Sequence, residues 1–254
     1  MRLFFILIFI FKTACSFSQD SINIKKYTIG NDTLALHISI TYPHNAPVVF
    51  INLHDDENTS VDAGLDFLSK YGGTLLQLQH TGKRNFAFVM NEQSYSFDPN
   101  RIFTNTGLKA TLEKQTAYRE DAFSEVKHIA DSILINYVND KKLIIALHNN
   151  TEGGLSILSY KRKGYEAKNA SRVYVNNLMD ANDFILTTDA SVFHYVKQRK
   201  INVVLQHHKP EDDGSLSVYA AKNKIRYINV EAKHGHLEEQ IQMLEVLKDL
   251  IYRY

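Results

Sequence analysis

The sequence has almost no cysteine and almost no net charge. Cys15 is the single cysteine in a chain of 254 residues. One thiol builds neither a disulfide framework nor a multi-thiolate metal site. Lysine plus arginine number 29 against 28 aspartate plus glutamate. No basic excess points to nucleic acid, and no acidic excess points to a solvating tail. Low-complexity tracts and obvious internal repeats are also absent. The one long apolar run, Leu3 to Phe11, is too short to remain as a stable membrane span.

That run follows Arg2 and leads into small residues, with Ser16 and Ser18 in a small-x-small arrangement. A positive start, an apolar core and a small-residue site, in that order, predict a signal peptide over 1–18 cut near Ser18. The protein is then exported, periplasmic or extracellular. Lys12 stands three residues before Cys15, where a lipoprotein signal carries an apolar residue, so lipidation at Cys15 is not expected. Removal of 1–18 leaves a cysteine-free domain over 19–254, in which any metal must be held by histidine and carboxylate. The length and the 44% hydrophobic content suit one α/β domain with a full core.

What the chain does contain is an alternation of short apolar runs and amphipathic stretches. Residues 22–42 read as a hairpin around Gly30-Asn31-Asp32. VVFINL (48–53) and KLIIAL (142–147) read as buried strands, each running into a histidine, His54 and His148. Further strands are expected over 74–79, 154–160, 183–188, 202–206 and 226–231. Helices are expected over 58–71, capped by Asn58, Thr59 or Ser60, and over 111–138 as one long segment. Shorter helices fit near 190–199 and 215–224, and a strongly helical stretch covers 236–252. Residues 81–110 read mostly as loop, with NFAFVM as a strand inside it. The alternation predicts a single-domain, three-layer α/β sandwich with a mixed, largely parallel central sheet. Ligands gather beyond the carboxyl ends of such strands, where His54, His148 and Glu231 all fall.

His54 and Glu57, three residues apart past a strand end, can close onto one ion, although the pair alone is a common pattern. His148 adds a second imidazole, Phe97-Asp98-Pro99-Asn100-Arg101 a guanidinium, and Asn229-Val230-Glu231 a spare carboxylate. These are the parts of metal-assisted hydrolysis. A metal acidifies its water and polarises a carbonyl, a carboxylate moves the proton, and an arginine grips a substrate carboxylate with two hydrogen bonds. His207-His208 and Asp212-Asp213-Gly214 lack metal-ligand spacing and read as a strand-end loop.

HDDE (54–57), DPNR (98–101), LHNNT (147–151) and VEAKHG (230–235), in this order, resemble the zinc carboxypeptidases of the M14 clan. The nearer likeness is to the succinylglutamate desuccinylase and aspartoacylase branch, with its HGNE, DLNR, LHNTT-like and IEVG-like segments. The resemblance spans about residues 48–235. It implies a phosphorylase/hydrolase-like zinc exopeptidase fold with one zinc ion on His54, Glu57 and His148. Glu231 is then the general base and acid, and Asn100 and Arg101 bind the substrate carboxylate. Arg84 is placed like the carbonyl-polarising arginine of the carboxypeptidases. Asp55-Asp56 departs from the usual Gly-Asn pair and adds negative charge beside the metal. Gln93 lies where the desuccinylase branch carries an arginine.

The resemblance implies a zinc metallohydrolase that cleaves an amide bond next to a free carboxylate, and the expected signal peptide makes it an exported one. Its partner is a small molecule or peptide, including cell-wall peptides, and not nucleic acid. Two alternatives stand beside it: an N-acyl amino acid deacylase of the desuccinylase/aspartoacylase type, and a catalytically inactive zinc-binding protein on the same fold.

Overall fold

A computed structural model of the chain describes residues 20–42, 48–141 and 143–252, without the side chains of 32–36. The expected signal segment 1–18, with Cys15, lies outside the described residues. The expected hairpin is formed by β1 (Ser21–Ile29) and β2 (Asp32–Tyr42), paired antiparallel. The turn between them needs a glycine. Gly30 has φ 59°, and a Cβ there would collide with the carbonyl oxygen of Val89.

The chain continues through β3 (Val49–Asn52), α1 (Asn58–Tyr71), β4 (Gly73–Gln79), β5 (Phe86–Met90), β6 (Gln93–Phe97), α2 (Asn105–Gln115) and α3 (Glu120–Ile133). Then come β7 (Ile144–Asn150), β8 (Ala170–Tyr174), β9 (Phe184–Thr187), α4 (Ala190–Gln198), β10 (Val203–Gln206), α5 (Leu216–Lys222), β11 (Tyr227–Lys233) and α6 (Leu237–Ile251). The strands form a mixed sheet in the order β1-β2-β4-β3-β7-β11-β9-β10-β8, with β5-β6 as a separate hairpin. The central run β4-β3-β7-β11 is parallel, as is β9-β10, and the remaining neighbours are antiparallel.

Successive residues of the central strands point to opposite faces, and both faces are covered. Phe50, Ile145, Leu147 and Val230 pack with Phe67 of α1, Val192 of α4 and Leu244 of α6. Ile51, Ile144 and Ala146 pack instead with Phe86 and Phe97 of the hairpin, Leu112 of α2 and Val126 of α3. The architecture is therefore the three-layer α/β sandwich. Each fully buried Leu, Ile or Phe contributes about 1.5–3 kcal/mol by its transfer from water.

Several elements differ from expectation for local reasons. Helix α1 spans the expected residues, but its N-cap is Glu57, with no side-chain capping bond. That carboxylate is used elsewhere. The segment 111–138 is not one helix. The backbone N–H of Thr116 closes α2 on Leu112, and α3 restarts at Glu120-Asp121, two acids suited to a helix N-terminus. The chain then passes through a π-helical turn, Leu134–Val138. Apolar spacing runs on across the break, so periodicity cannot see it. The break lets α2 lie on β6 while α3 reaches β1.

Residues 81–110 hold the β5-β6 hairpin and most of α2 rather than a loop. The hairpin turns at Asn91 (φ 51°) and Glu92 (φ 61°), a primed turn made without glycine. GLSILSY does not join the sheet. Ile157–Tyr160 is a 3-10 turn, boxed by Ser156 and Ser159. The edge is β8 instead, a half-exposed strand whose weak alternation gave no signal. Among the described residues, no helix is long and apolar enough to cross a membrane.

Candidate metal centre and active site

Sheet register brings the site together. In the parallel pairing of β7 with β11, His148 stands opposite Glu231. β3 lies on the other side of β7, and His54 follows two residues past its end. Three segments far apart in sequence therefore deliver side chains to one end of the sheet. Both His148 and Glu231 lie within their strands, not just beyond them. Gln240 of α6 ties this base together. Its Nε2 donates to the carbonyls of His148 and Val230, both at 3.1 Å, and its Oε1 accepts from Asn149 Nδ2 at 3.0 Å.

Glu57 bridges the two imidazoles. His54 Nδ1 meets Oε1 at 2.7 Å and His148 Nδ1 meets Oε2 at 2.8 Å. All three residues are buried, and their donor atoms lie within 4.8 Å of one another. Among the described residues this is the group of metal-ligating side chains that converges. The turn carrying it is fixed by Ser60, whose Oγ donates to the Glu57 carbonyl at 2.8 Å and whose N–H donates to Asn149 Oδ1 at 2.8 Å.

Asp98 holds the His54 ring from behind, through His54 Nε2 to Oδ1 at 2.8 Å. This orients Nδ1 towards Glu57 and fixes the ring for coordination. Sequence reasoning quoted Asp98 only as part of a motif and missed this role. The signal available was its spacing from Asn100-Arg101.

The electrostatics of the cluster are strongly coupled. Burial alone would lower the His54 pKa. The Glu57 charge, with hydrogen bonds to Asp98 and Glu57, carries it up to about 9. Burial would raise Glu57, but His148 and His54 hold it well below the usual carboxylate range. Asp98 behaves likewise: burial opposes ionisation, and His54, Arg101 and Arg84 overcome it. Glu57 is therefore an anion at neutral pH, with two imidazole nitrogens aimed at it. Two imidazoles and a carboxylate are the donor set of a catalytic zinc site with its fourth place left open. Hard cations such as magnesium and calcium favour all-oxygen sets.

The cluster opens on a cavity of about 310 Å³, which Arg84, Asn100, Arg101 and Glu231 also line. Glu231 is buried. Its Oε1 accepts from Asn229 Nδ2 at 2.9 Å, and its Oε2 accepts from Asn150 Nδ2 at 3.3 Å. Arg84 donates to Glu57 Oε1 at 2.8 Å and stands 3.6 Å from Asp98 Oδ2. Its side chain is 46% exposed, so it can turn towards a ligand. Asp55 pins the loop before it, accepting from the N–H groups of His80 at 2.8 Å and Gly82 at 2.6 Å.

Arg101 donates to the Asn100 carbonyl at 2.7 Å and lies 3.6 Å from Asp213. Asn100 accepts from the Leu216 N–H at 3.0 Å and reaches His148 Nε2 at 3.5 Å. Its amide links the histidine to the start of α5. The rings of His207 and His208 are tilted at 39° with centroids 4.4 Å apart, and the two residues line a different cavity with Asp189 and Arg226.

No protein family and no curated protein sequence matches the chain. Among solved structures, a candidate metallopeptidase from Shewanella baltica OS155 is similar, with a TM-score of 0.45 at 10% identity over 91% of this chain and 85% of that one. One from Shewanella denitrificans OS217 gives a TM-score of 0.43 at 11% identity, over 90% of this chain and 82% of that one. A variant of the cell shape determinant protein Csd4 from Helicobacter pylori gives 0.45 at 12% identity, over 85% of this chain and 54% of that one. Likenesses this distant carry no argument about activity. The functional reading rests on the side chains themselves.

Proposed function

We propose that the protein is an exported zinc-dependent hydrolase that cleaves an amide bond next to a free carboxylate, on peptides or cell-wall peptides. One observation carries the reading. His54, Glu57 and His148 share a single cavity with a buried carboxylate, Glu231, and two guanidinium groups, Arg84 and Arg101. His54 Nδ1, His148 Nδ1 and Glu57 would hold the zinc. When bound, the ion supplies an acidified water and a Lewis acid for the scissile carbonyl.

The chain's own residues do the rest. Glu231, steadied by Asn229 and Asn150, takes the proton from the attacking water and returns it to the leaving nitrogen. Arg101 grips the substrate carboxylate. Arg84 leaves Glu57 and faces the carbonyl oxygen as negative charge develops there. Asp98 keeps the His54 ring in its coordinating orientation. Export is supported by Arg2, the apolar run and the Ser16/Ser18 site.

The test is a hydrolysis screen of zinc-loaded protein against C-terminal peptides, muropeptides and N-acyl amino acids, with metal content measured alongside. Stoichiometric zinc and chelator-sensitive cleavage of a carboxylate-bearing amide are expected. Protein that takes up no zinc and hydrolyses nothing in the screen overturns the reading.

A further inference from the structure

Two oxygen atoms at the cavity have no hydrogen-bond partner among the described residues: Asp56 Oδ1 and Asn150 Oδ1. Asn150 is 8% exposed. Its amide cannot be reversed, because Nδ2 donates both to the Asn182 carbonyl at 2.8 Å and to Glu231 at 3.3 Å. The oxygen is thus the end left for a ligand, and an unpaired buried acceptor is costly.

Asp56 brings a carboxylate to the same cavity. Its neighbours do not neutralise it by direct pairing. Arg84 is held by Glu57 and Asp98 here, and in the proposed reaction it turns to the scissile carbonyl rather than to Asp56. His80 is held neutral, since burial lowers its pKa despite Asp55 and Asp56. Asp56 acts electrostatically on Arg84 and His80, whereas Arg101 stands beside Asp213. One small cavity is therefore lined both by guanidinium groups and by a carboxylate that has no ion-pair partner among the described residues.

We propose that the cavity takes a zwitterion, a dipeptide-sized substrate. Its carboxylate meets Arg101, and its free ammonium group, on the acyl side of the scissile bond, meets Asp56. Asn150 Oδ1 accepts an N–H of the same substrate. This rests on the hydrolase reading above and narrows its substrate class. An N-acylated amino acid would place an uncharged group against Asp56, and a second carboxylate there would be repelled.

The experiment uses a set of dipeptides with acidic, basic, aliphatic and aromatic C-terminal residues, each with a free amine and N-acetylated. Binding is measured by calorimetry to zinc-loaded protein carrying Glu231→Gln, and hydrolysis is measured with the wild type. The free-amine forms should bind about tenfold or more tightly than their N-acetyl partners. Adding Asp56→Asn should erase that difference while zinc content and melting temperature stay unchanged. N-acetyl forms that bind as tightly, or a preference that survives Asp56→Asn, overturn the inference. Wild-type cleavage of N-acetylated substrates alone overturns it and leaves the hydrolase reading standing. If no form binds and none is cleaved, the dipeptide inference falls. The hydrolase reading falls with it only if the wider screen is also negative.

Discussion

Glu231 and Asp98 are both carboxylates near the candidate metal ligands, and their surroundings suit them to different work. Glu231 receives two amide hydrogen bonds and faces the cavity. Asp98 is bound to an imidazole edge and a backbone N–H, with Asn100 N at 2.8 Å. Glu231→Gln should lower the hydrolytic rate by roughly 10²–10⁴-fold with zinc content unchanged; a variant with full activity would remove Glu231 as the base. Asp98→Asn should weaken zinc affinity by about 10–100-fold, read by competition with a chelator, with the fold retained. At this scale His54, Glu57, His148 and Glu231 could be nominated from residue type alone, and the structure brings them to one cavity. Asp98, Asn150 and Gln240 were not, because their roles lie in what they touch.

The β1-β2 hairpin carries a pH-sensitive residue outside the site. His37 of β2 is buried and packs edge-on against Tyr27, with ring centroids 4.7 Å apart. Burial, then the charge of Lys25, lowers its pKa from 6.5 to about 4. Between those values the unfolded chain binds the proton and the folded chain does not. The stability linked to this group is thus complete above pH 6.5 and is lost as pH falls towards 4, by roughly 3 kcal/mol in all. Denaturation midpoints at pH 7 and pH 4.5 should differ less in His37→Phe than in the wild type; an equal difference would rule out His37 as the source. Among the elements, the central strands and α1 were readable because burial on both faces and helical spacing leave strong patterns. The break between α2 and α3 was not, because the apolar period continues through it. The β5-β6 turn was hidden because Asn91 and Glu92 adopt positive φ without a glycine.

Across the whole molecule, the candidate ligands tie the end of β3 and the turn before α1 to β7. A ligand that binds only this folded arrangement stabilises it by mass action, by about 2.7 kcal/mol at a hundredfold excess over its dissociation constant. Zinc should therefore raise the melting temperature in a concentration-dependent way, and a chelator should reverse the rise. An unchanged melting curve would argue against a site that spans these segments. The sequence by itself determined the layered α/β class, since alternating apolar runs demand two covered faces, and it offered His54, Glu57 and His148 as candidate ligands. Only the tertiary structure decided that His148 lies opposite Glu231, that Asp98 backs His54, and that Asp56 shares a cavity with Arg101. Those facts depend on strand order and register, which arise from long-range pairing and leave no mark on any local stretch of chain.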